Sequence, residues 1–313
     1  MEMHVENGRQ SAALTIAGSD SGGNAGVQAD IRAFHTFGVH ACTVLAALTA
    51  QNPGGVSAVE VPPPAFVVAQ LDAVLSAYAI GAAKTGMLAT APVIEAVASR
   101  LAREPGLPLV VDPVMVATSG AKLIADDAVA AMRDRLLPLA ALATPNLPEA
   151  EVLAGMPVRS RADMVRAAGL IRDRAGCAVL VKGGHRAGAE AEDFLLAPQG
   201  AFWFSSPVVE HPASTHGTGC SLSAAIAAAL ATGLALPDAV AAGKAYVYES
   251  IRTSLSVGPA ATVLGMPDPA RLRDASQIVR RTTSSPDGGT GTSVTSDERR
   301  VTSDASTLRP VQS

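Results

Sequence analysis

A three-layer α/β fold, with helices on both faces of a mostly parallel sheet, is predicted by two regularities of this 313-residue chain. Short apolar runs of strand length alternate with amphipathic segments of helix length, the pattern that builds a parallel sheet. Polar and glycine-rich residues also follow nearly every apolar run: Gly18-Ser19-Asp20, Gln51-Asn52, Lys84-Thr85-Gly86, Asp112, Thr144-Pro145-Asn146 and Lys182-Gly183-Gly184-His185. Ligands of open parallel sheets bind outside the carboxyl ends of the strands, so these residues are expected along one sheet edge.

Residues 12–17 read as a buried strand, followed by a polar loop at 18–26 and an amphipathic helix at 27–37. A second strand at 40–48 runs into Thr49-Ala50-Gln51-Asn52-Pro53-Gly54-Gly55, where proline and glycine stop regular structure. The rhythm continues with helix 64–78, strand 80–84, helix 92–103, strand 108–111, helix 126–137 and strand 139–143. Helices at 147–154 and 161–175 precede a strand at 177–181 and an antiparallel pair at 193–197 and 201–204. Long helices at 218–232 and 237–256 complete the core. From about residue 280 onward Ser, Thr, Asp, Gly and Arg replace large apolar residues, too little to bury, so 281–313 is expected to be a disordered tail.

A hydrophobic content of 48% excludes wholesale disorder, and a net charge of −4 offers no general attraction to nucleic acid or anionic membrane. Small-molecule ligands are expected. Cys42, Cys177 and Cys220 have no CxxC spacing, which suits a reducing, cytoplasmic setting rather than a disulfide framework or a zinc site. Residues 1–10 carry Glu2 and Glu6 without an apolar signal core. The apolar run at 222–236 is too short to span a bilayer.

The stretch Ser214-Thr215-His216-Gly217-Thr218-Gly219-Cys220 enters an alanine-rich helix. Backbone N–H groups at such a start are unpaired and the helix dipole favours negative charge there, which makes a phosphate site. A thiol in that position tends to a lowered pKa and stands within reach of whatever the N–H groups hold. The competing reading is an ordinary helix-start turn with Cys220 as a small buried filler.

Assembled in order, the motifs resemble those of the hydroxymethylpyrimidine and phosphomethylpyrimidine kinases of thiamine synthesis, in the ribokinase-like superfamily. The resemblance spans roughly residues 14–255. It rests on Ala17-Gly18-Ser19-Asp20-Ser21-Gly22-Gly23, Ala25-Gly26-Val27-Gln28-Ala29-Asp30, Thr49-Ala50-Gln51-Asn52 and Lys84-Thr85-Gly86-Met87-Leu88. Further along come Asp112-Pro113-Val114-Met115-Val116, Pro145-Asn146-Leu147-Pro148-Glu149-Ala150-Glu151, Val181-Lys182-Gly183-Gly184-His185 and His216-Gly217-Thr218-Gly219-Cys220. It implies a ribokinase-like kinase domain over 11–280 between a flexible 1–10 and the tail, and a homodimer. Asn24 stands where the family's loop usually has glycine, and Thr118 and Ala121 where it more often has Lys and Asp.

The resemblance implies phosphorylation, with ATP and Mg²⁺, of the hydroxymethyl group of 4-amino-5-hydroxymethyl-2-methylpyrimidine and then of the resulting monophosphate. Phosphoryl transfer depends chiefly on positioning and on neutralising charge. Gly217, Thr218 and Gly219 would face the transferred group, with Cys220 beside the acceptor oxygen. The Gln51 amide can donate to a ring nitrogen and accept from the adjacent amine of an aminopyrimidine. Gly18, Ala25, Asp30, Met87 and Val114 correspond to family positions around that ring. Without the motif, Met87 and Val114 read as core and Asp30 as a solvated helix residue.

Asn146 and Glu149, three residues apart, fall on one side of a starting helix, where they suit a capping box and can also address Mg²⁺ through its waters. Asp112 is the second metal-side carboxylate. Lys182, with Asn146 and His216, is expected on the nucleotide side, and His185 nearby. Two rival functions are a pyridoxine or pyridoxal kinase and a non-catalytic pyrimidine sensor.

Overall fold

In a computed structural model of the chain, residues 5–6, 9–115, 125–184, 190–258, 261–272 and 277–284 are described. Thr118, Ala121 and His185 lie outside them, as do residues 285–313 of the expected tail. A short antiparallel pair, β1 (Val5–Glu6) and β2 (Arg9–Gln10), occupies the segment expected to be flexible.

The first unit is β3 (Ala12–Asp20), α1 (Gly26–Thr36) and β4 (His40–Asn52), joined by a hairpin to β5 (Gly55–Glu60). There follow α2 (Pro64–Ala77), β6 (Ile80–Thr85), α3 (Ala91–Leu101), β7 (Leu109–Val111), α4 (Asp126–Ala131) and β8 (Leu142–Ala143). Then come α5 (Leu147–Ala154), α6 (Arg161–Ala175), β9 (Ala178–Lys182), β10 (Glu190–Ala197) and β11 (Gly200–Pro207). The chain closes with α7 (Thr218–Ala231), α8 (Leu236–Arg252), the pair β12 (Leu255–Gly258) and β13 (Ala261–Val263), and β14 (Arg280–Thr283).

One sheet runs in the order β14-β11-β10-β9-β8-β7-β6-β3-β4-β5. Its middle, from β9 to β4, is parallel, and β5, β10, β11 and β14 add antiparallel pairs at the two sides. The strand order reverses at β3, which pairs with β4 on one side and β6 on the other. A crevice at such a switch point collects ligands.

The strands separate two apolar layers because successive side chains point to opposite faces. Leu14, Ile16 and Val111 face a layer with Ile94, Val97, Met164 and Ile171, whereas Ala13 and Val110 face Phe34, Ile226 and Tyr246. The second layer is unusually tight because α7 buries mostly alanine. A Cβ on Gly243 of α8 would come within 2.7 Å of Ile226, so small residues set the spacing of α7 and α8.

The sequence pattern differs from the structure where turn chemistry decides. Asn52-Pro53-Gly54-Gly55 does not end the unit but turns it: Asn52 pairs with Gly55, and Asn52 Oδ1 accepts the Gly54 N–H at 2.8 Å. The expected helix 126–137 is α-helical only to Ala131, continues as a π-turn over Met132–Leu136 and ends in a 3₁₀ turn at Leu137–Leu139 around Pro138. That shortens β8. Helix α8 stops at Arg252, leaving 255–258 to form a hairpin arm, and residues 280–283, assigned to the tail boundary, pair with β11.

A buried pair fastens the antiparallel side to α8. Lys244 Nζ lies 2.6 Å from Asp193 Oδ2, while Asp193 Oδ1 accepts the Gly183 N–H at 2.9 Å. Removing one partner of a buried pair strands the other charge. Lys244→Met is therefore expected to lower stability by about 3 kcal/mol, read as a lower denaturant midpoint with an unchanged slope. An unchanged midpoint would show that the pair is solvated. No helix among the described residues is long and apolar enough to cross a membrane.

Candidate active site

The loop after β3 is organised by Asp20, whose buried carboxylate replaces the partners that backbone N–H groups in a loop otherwise lack. Its Oδ1 accepts from Gly22 N at 2.8 Å, and its Oδ2 accepts from Asn24 N at 2.9 Å and Ala25 N at 2.8 Å. Gln28 closes the loop from α1: its Oε1 accepts the Asp20 N–H at 2.9 Å and its Nε2 donates to Ser19 Oγ at 2.8 Å. Asn24, the unexpected residue here, is buried, and its Oδ1 has no hydrogen-bond partner among the described residues.

This loop folds directly over the start of α7. Gly217, the N-cap, has φ +89, and a Cβ there would stand 1.9 Å from the Asn24 carbonyl oxygen. Only glycine fits both the backbone and the space. Across the gap the Gly26 N–H donates to the Cys220 sulfur. The first-turn N–H groups of Thr218, Gly219 and Cys220 have no helical acceptor and open at the carboxyl edge of the sheet. Ser223 Oγ, 3.3 Å from Asp112 Oδ2, ties this turn to the end of β7.

Burial pushes the Cys220 thiol above its usual range, and although Lys84 and the Gly26 N–H oppose the shift they do not cancel it. At this helix start burial decides the direction of the shift, in keeping with a predominantly neutral thiol. The thiol is neutral near pH 7.

Beside the helix start stands a charged cluster. Lys182, at the end of β9, donates to Asp112 Oδ1 at 2.8 Å, and Thr144 Oγ1 donates to the same oxygen at 3.1 Å. Burial pushes the Asp112 carboxyl up, but Lys182 and Lys84 outweigh it and hold it below the ordinary range. Glu149 and Asn146 form the expected capping box, Glu149 N to Asn146 Oδ1 at 2.9 Å and Asn146 N to Glu149 Oε2 at 2.8 Å. Burial, helped by Asp112, raises the Glu149 carboxyl to about 7 against the pull of Lys182. Gly219 lies against this cluster, since a Cβ on it would meet Lys182 Nζ at 3.4 Å and Asp112 Oδ2 at 3.8 Å.

Among the described residues no group of three or more His, Cys, Asp or Glu forms a metal cage. Two acidic residues that interact electrostatically are nevertheless enough for Mg²⁺, which keeps several waters and takes other ligands from phosphates. Asp112 and Glu149 fit that arrangement.

Gln51 is fixed at the end of β4. Thr49 Oγ1 donates to Gln51 Oε1 at 3.1 Å, and Ser21 Oγ both receives the Gln51 N–H at 2.8 Å and donates to its carbonyl at 2.7 Å. Gln51 Nε2 lies 3.3 Å from His216 Nε2, which brings His216 beside Gln51. Met87 and Val114 are half-buried. Gly18 makes room for the first of them, because a Cβ there would come within 2.7 Å of Met87 Cε. Ala25 is half-buried at the N-cap of α1.

Asp30 corrects the sequence reading. It sits on the apolar stripe of α1 between Val27 and Phe34, fully buried, with Lys84 Nζ at 3.0 and 2.9 Å from its two oxygens and Thr15 Oγ1 at 2.6 Å. It is neither a solvated helix residue nor a carboxylate free to hold a ligand. Asp20, Lys84 and Thr144 were expected at this sheet edge only as parts of polar stretches with no role of their own, and Ser223 was not singled out by sequence. A lysine inside an apolar strand and an aspartate inside an apolar helical stripe were the available signal, since buried charges require partners.

Comparison with known proteins agrees with this geometry. The sequence model of the phosphomethylpyrimidine kinase family matches residues 20–264. The hydroxymethylpyrimidine/phosphomethylpyrimidine kinase of Synechococcus elongatus is 47% identical over 254 residues, covering 81% of this chain and 96% of that protein. Among solved structures, the phosphomethylpyrimidine kinase of Clostridium difficile superposes with a TM-score of 0.69 at 37% identity, over 77% of this chain and 100% of its own. Pyridoxal kinase from Staphylococcus aureus in complex with ADP reaches a TM-score of 0.78 at 30% identity, over 88% of this chain and 100% of its own. With a family match across most of its length and a ribokinase-like sheet beneath the site, the chain belongs to the phosphomethylpyrimidine kinase family.

Proposed function

We propose that this kinase transfers the γ-phosphoryl group of ATP to the hydroxymethyl oxygen of 4-amino-5-hydroxymethyl-2-methylpyrimidine and, in a second turnover, to a phosphate oxygen of the monophosphate. The observation that carries this reading is the meeting, at one sheet edge, of the α7 start, the Lys182–Asp112 pair and the Gln51–His216 pair. The Gln51 amide can pair with the amine edge of the pyrimidine while Met87 and Val114 flank its faces. The acceptor oxygen then lies near Cys220, between the ring and the N–H groups of α7.

In each turnover a P–O bond forms to the acceptor as the bond to ADP breaks, the hydroxymethyl proton passing to water in the first turnover, through a loose transition state that asks little prior deprotonation of the acceptor. The α7 N–H groups and Lys182 meet the charge on the transferred oxygens. Asp112 and Glu149 would hold Mg²⁺, whose chemistry there is to neutralise nucleotide phosphates. A homodimer is part of this reading, supported by exposed Val56 and Val59 on the edge strand β5. So is a cytoplasmic setting, supported by three unpaired cysteines.

Product analysis by mass spectrometry, with ATP and Mg²⁺ and with the hydroxymethylpyrimidine, its monophosphate and pyridoxal offered separately, tests the reading. Both mono- and diphosphate pyrimidines are expected. Pyridoxal phosphate alone would move the chain to vitamin B6 salvage, the second reading favoured by the likeness to a pyridoxal kinase. A folded protein giving no product would mark a binding role.

A neutral Cys220 suits an anionic acceptor, because a carboxylate in its place would repel a phosphate monoester. In Cys220→Asp, kcat/KM for the monophosphate is expected to fall about tenfold more than for the alcohol. Equal losses, or a selective loss with the alcohol, would reject the charge argument.

A further inference from the structure

Lys84 and Asp30 form an ion pair with no exposure at all, inside the layer between β6 and α1. Such pairs are poor stabilisers, since desolvation costs as much as the attraction returns and apolar replacements often match them. Its value to the protein has to be sought in where its charge points.

The two ends are not equivalent. Asp30 is saturated by Lys84 and Thr15, whereas Asp30 is the only hydrogen-bond acceptor of the Lys84 ammonium among the described residues. The ammonium lies against Gly86, where a Cβ would stand 2.9 Å from Nζ, next to the Met87 wall of the pocket. Lys84 also acts on Cys220 more strongly than Asp30 does, and on Asp112 second only to Lys182. The positive end of the pair therefore lies on the Gly86–Met87 side, and its charge is felt at Cys220.

We propose that Lys84 determines acceptor specificity: its buried ammonium, oriented by Asp30 and Thr15, puts fixed positive charge under the acceptor position and favours the monophosphate over the neutral alcohol. The inference rests on the two-acceptor reading above, and it makes Lys84 a positioning residue that acts through the field and touches no reacting atom.

The test is calorimetric binding of the hydroxymethylpyrimidine and of its monophosphate, without ATP, to the full chain. Lys84→Met/Asp30→Leu removes both charges without stranding one. Monophosphate affinity is expected to drop about tenfold while alcohol affinity changes far less. Asp30→Asn keeps the ammonium and removes its counter-charge, so it is expected to move the affinity ratio the other way, and it decides the matter if the double variant does not fold. An unmoved ratio in the folded variants, or wild-type protein that does not prefer the monophosphate, overturns the proposal. Because binding is read without turnover, absence of kinase activity sinks the proposed function and leaves this comparison standing.

Discussion

Gly217→Ala is expected to lower kcat/KM with both pyrimidine acceptors by at least about 100-fold, the order seen when a phosphate- or oxyanion-binding donor is lost. The new methyl would meet the Asn24 carbonyl oxygen at 1.9 Å and its carbon at 2.9 Å, at a φ of +89 that alanine disfavours. Backbone cannot rotate aside as a side chain can. Either the loop over β3 lifts, against three Asp20 hydrogen bonds and the Arg32 bond to the Gly23 carbonyl, or α7 retreats. Both movements spoil the gap between the loop and α7 that the proposed function gives to the acceptor. Since the clash is with backbone, Asn24→Gly is not expected to rescue it. Steady-state kinetics on the single and double variants check this, and activity within about threefold of wild type would show that the close approach is not part of the site.

Lys182→Met is expected to reduce turnover by about 100- to 1,000-fold and stability by about 3 kcal/mol. The stability loss arises because Asp112 remains buried with only Thr144 and Ser223 to satisfy it. The sign of the pH effect follows from its depressed pKa. A carboxyl held low in the folded state contributes stability above its unfolded value of 3.8, and loses it as pH falls through the folded value. Without Lys182 that acid limb moves upward in pH. Adding Asp112→Asn is expected to recover stability but not turnover, which separates folding from chemistry. Urea titrations at several pH values and single-turnover assays measure the two arms. Recovery of activity in the double variant would mean that Lys182 serves only to neutralise Asp112.

The order of strands and helices was legible because each carries its own pattern: apolar runs of strand length for β3 and β4, a period near 3.6 for α1 and α3. The helix bounds at 147–154 and 161–175 matched for a local reason, since both begin with capping boxes and end at left-handed glycines, Gly155 and Gly176. Where local signals were ambiguous, boundaries moved. A proline and two glycines after β4 stop a strand and turn a hairpin equally well, and only pairing with β4 distinguishes the outcomes. The π-turn at Met132–Leu136 has no sequence mark apart from Pro138 beyond it.

The sequence by itself determined the α/β class, the family and the side of the sheet on which polar residues gather. Those properties follow from local chemistry and from motif order, which the chain carries in one dimension. Tertiary structure alone decided what each polar residue does there. It turned Asp30 inward onto Lys84, set His216 beside Gln51, and pushed the Cys220 thiol up by burial. Burial and the choice of partner depend on segments dozens of residues apart, and these are the terms that set charge inside a protein.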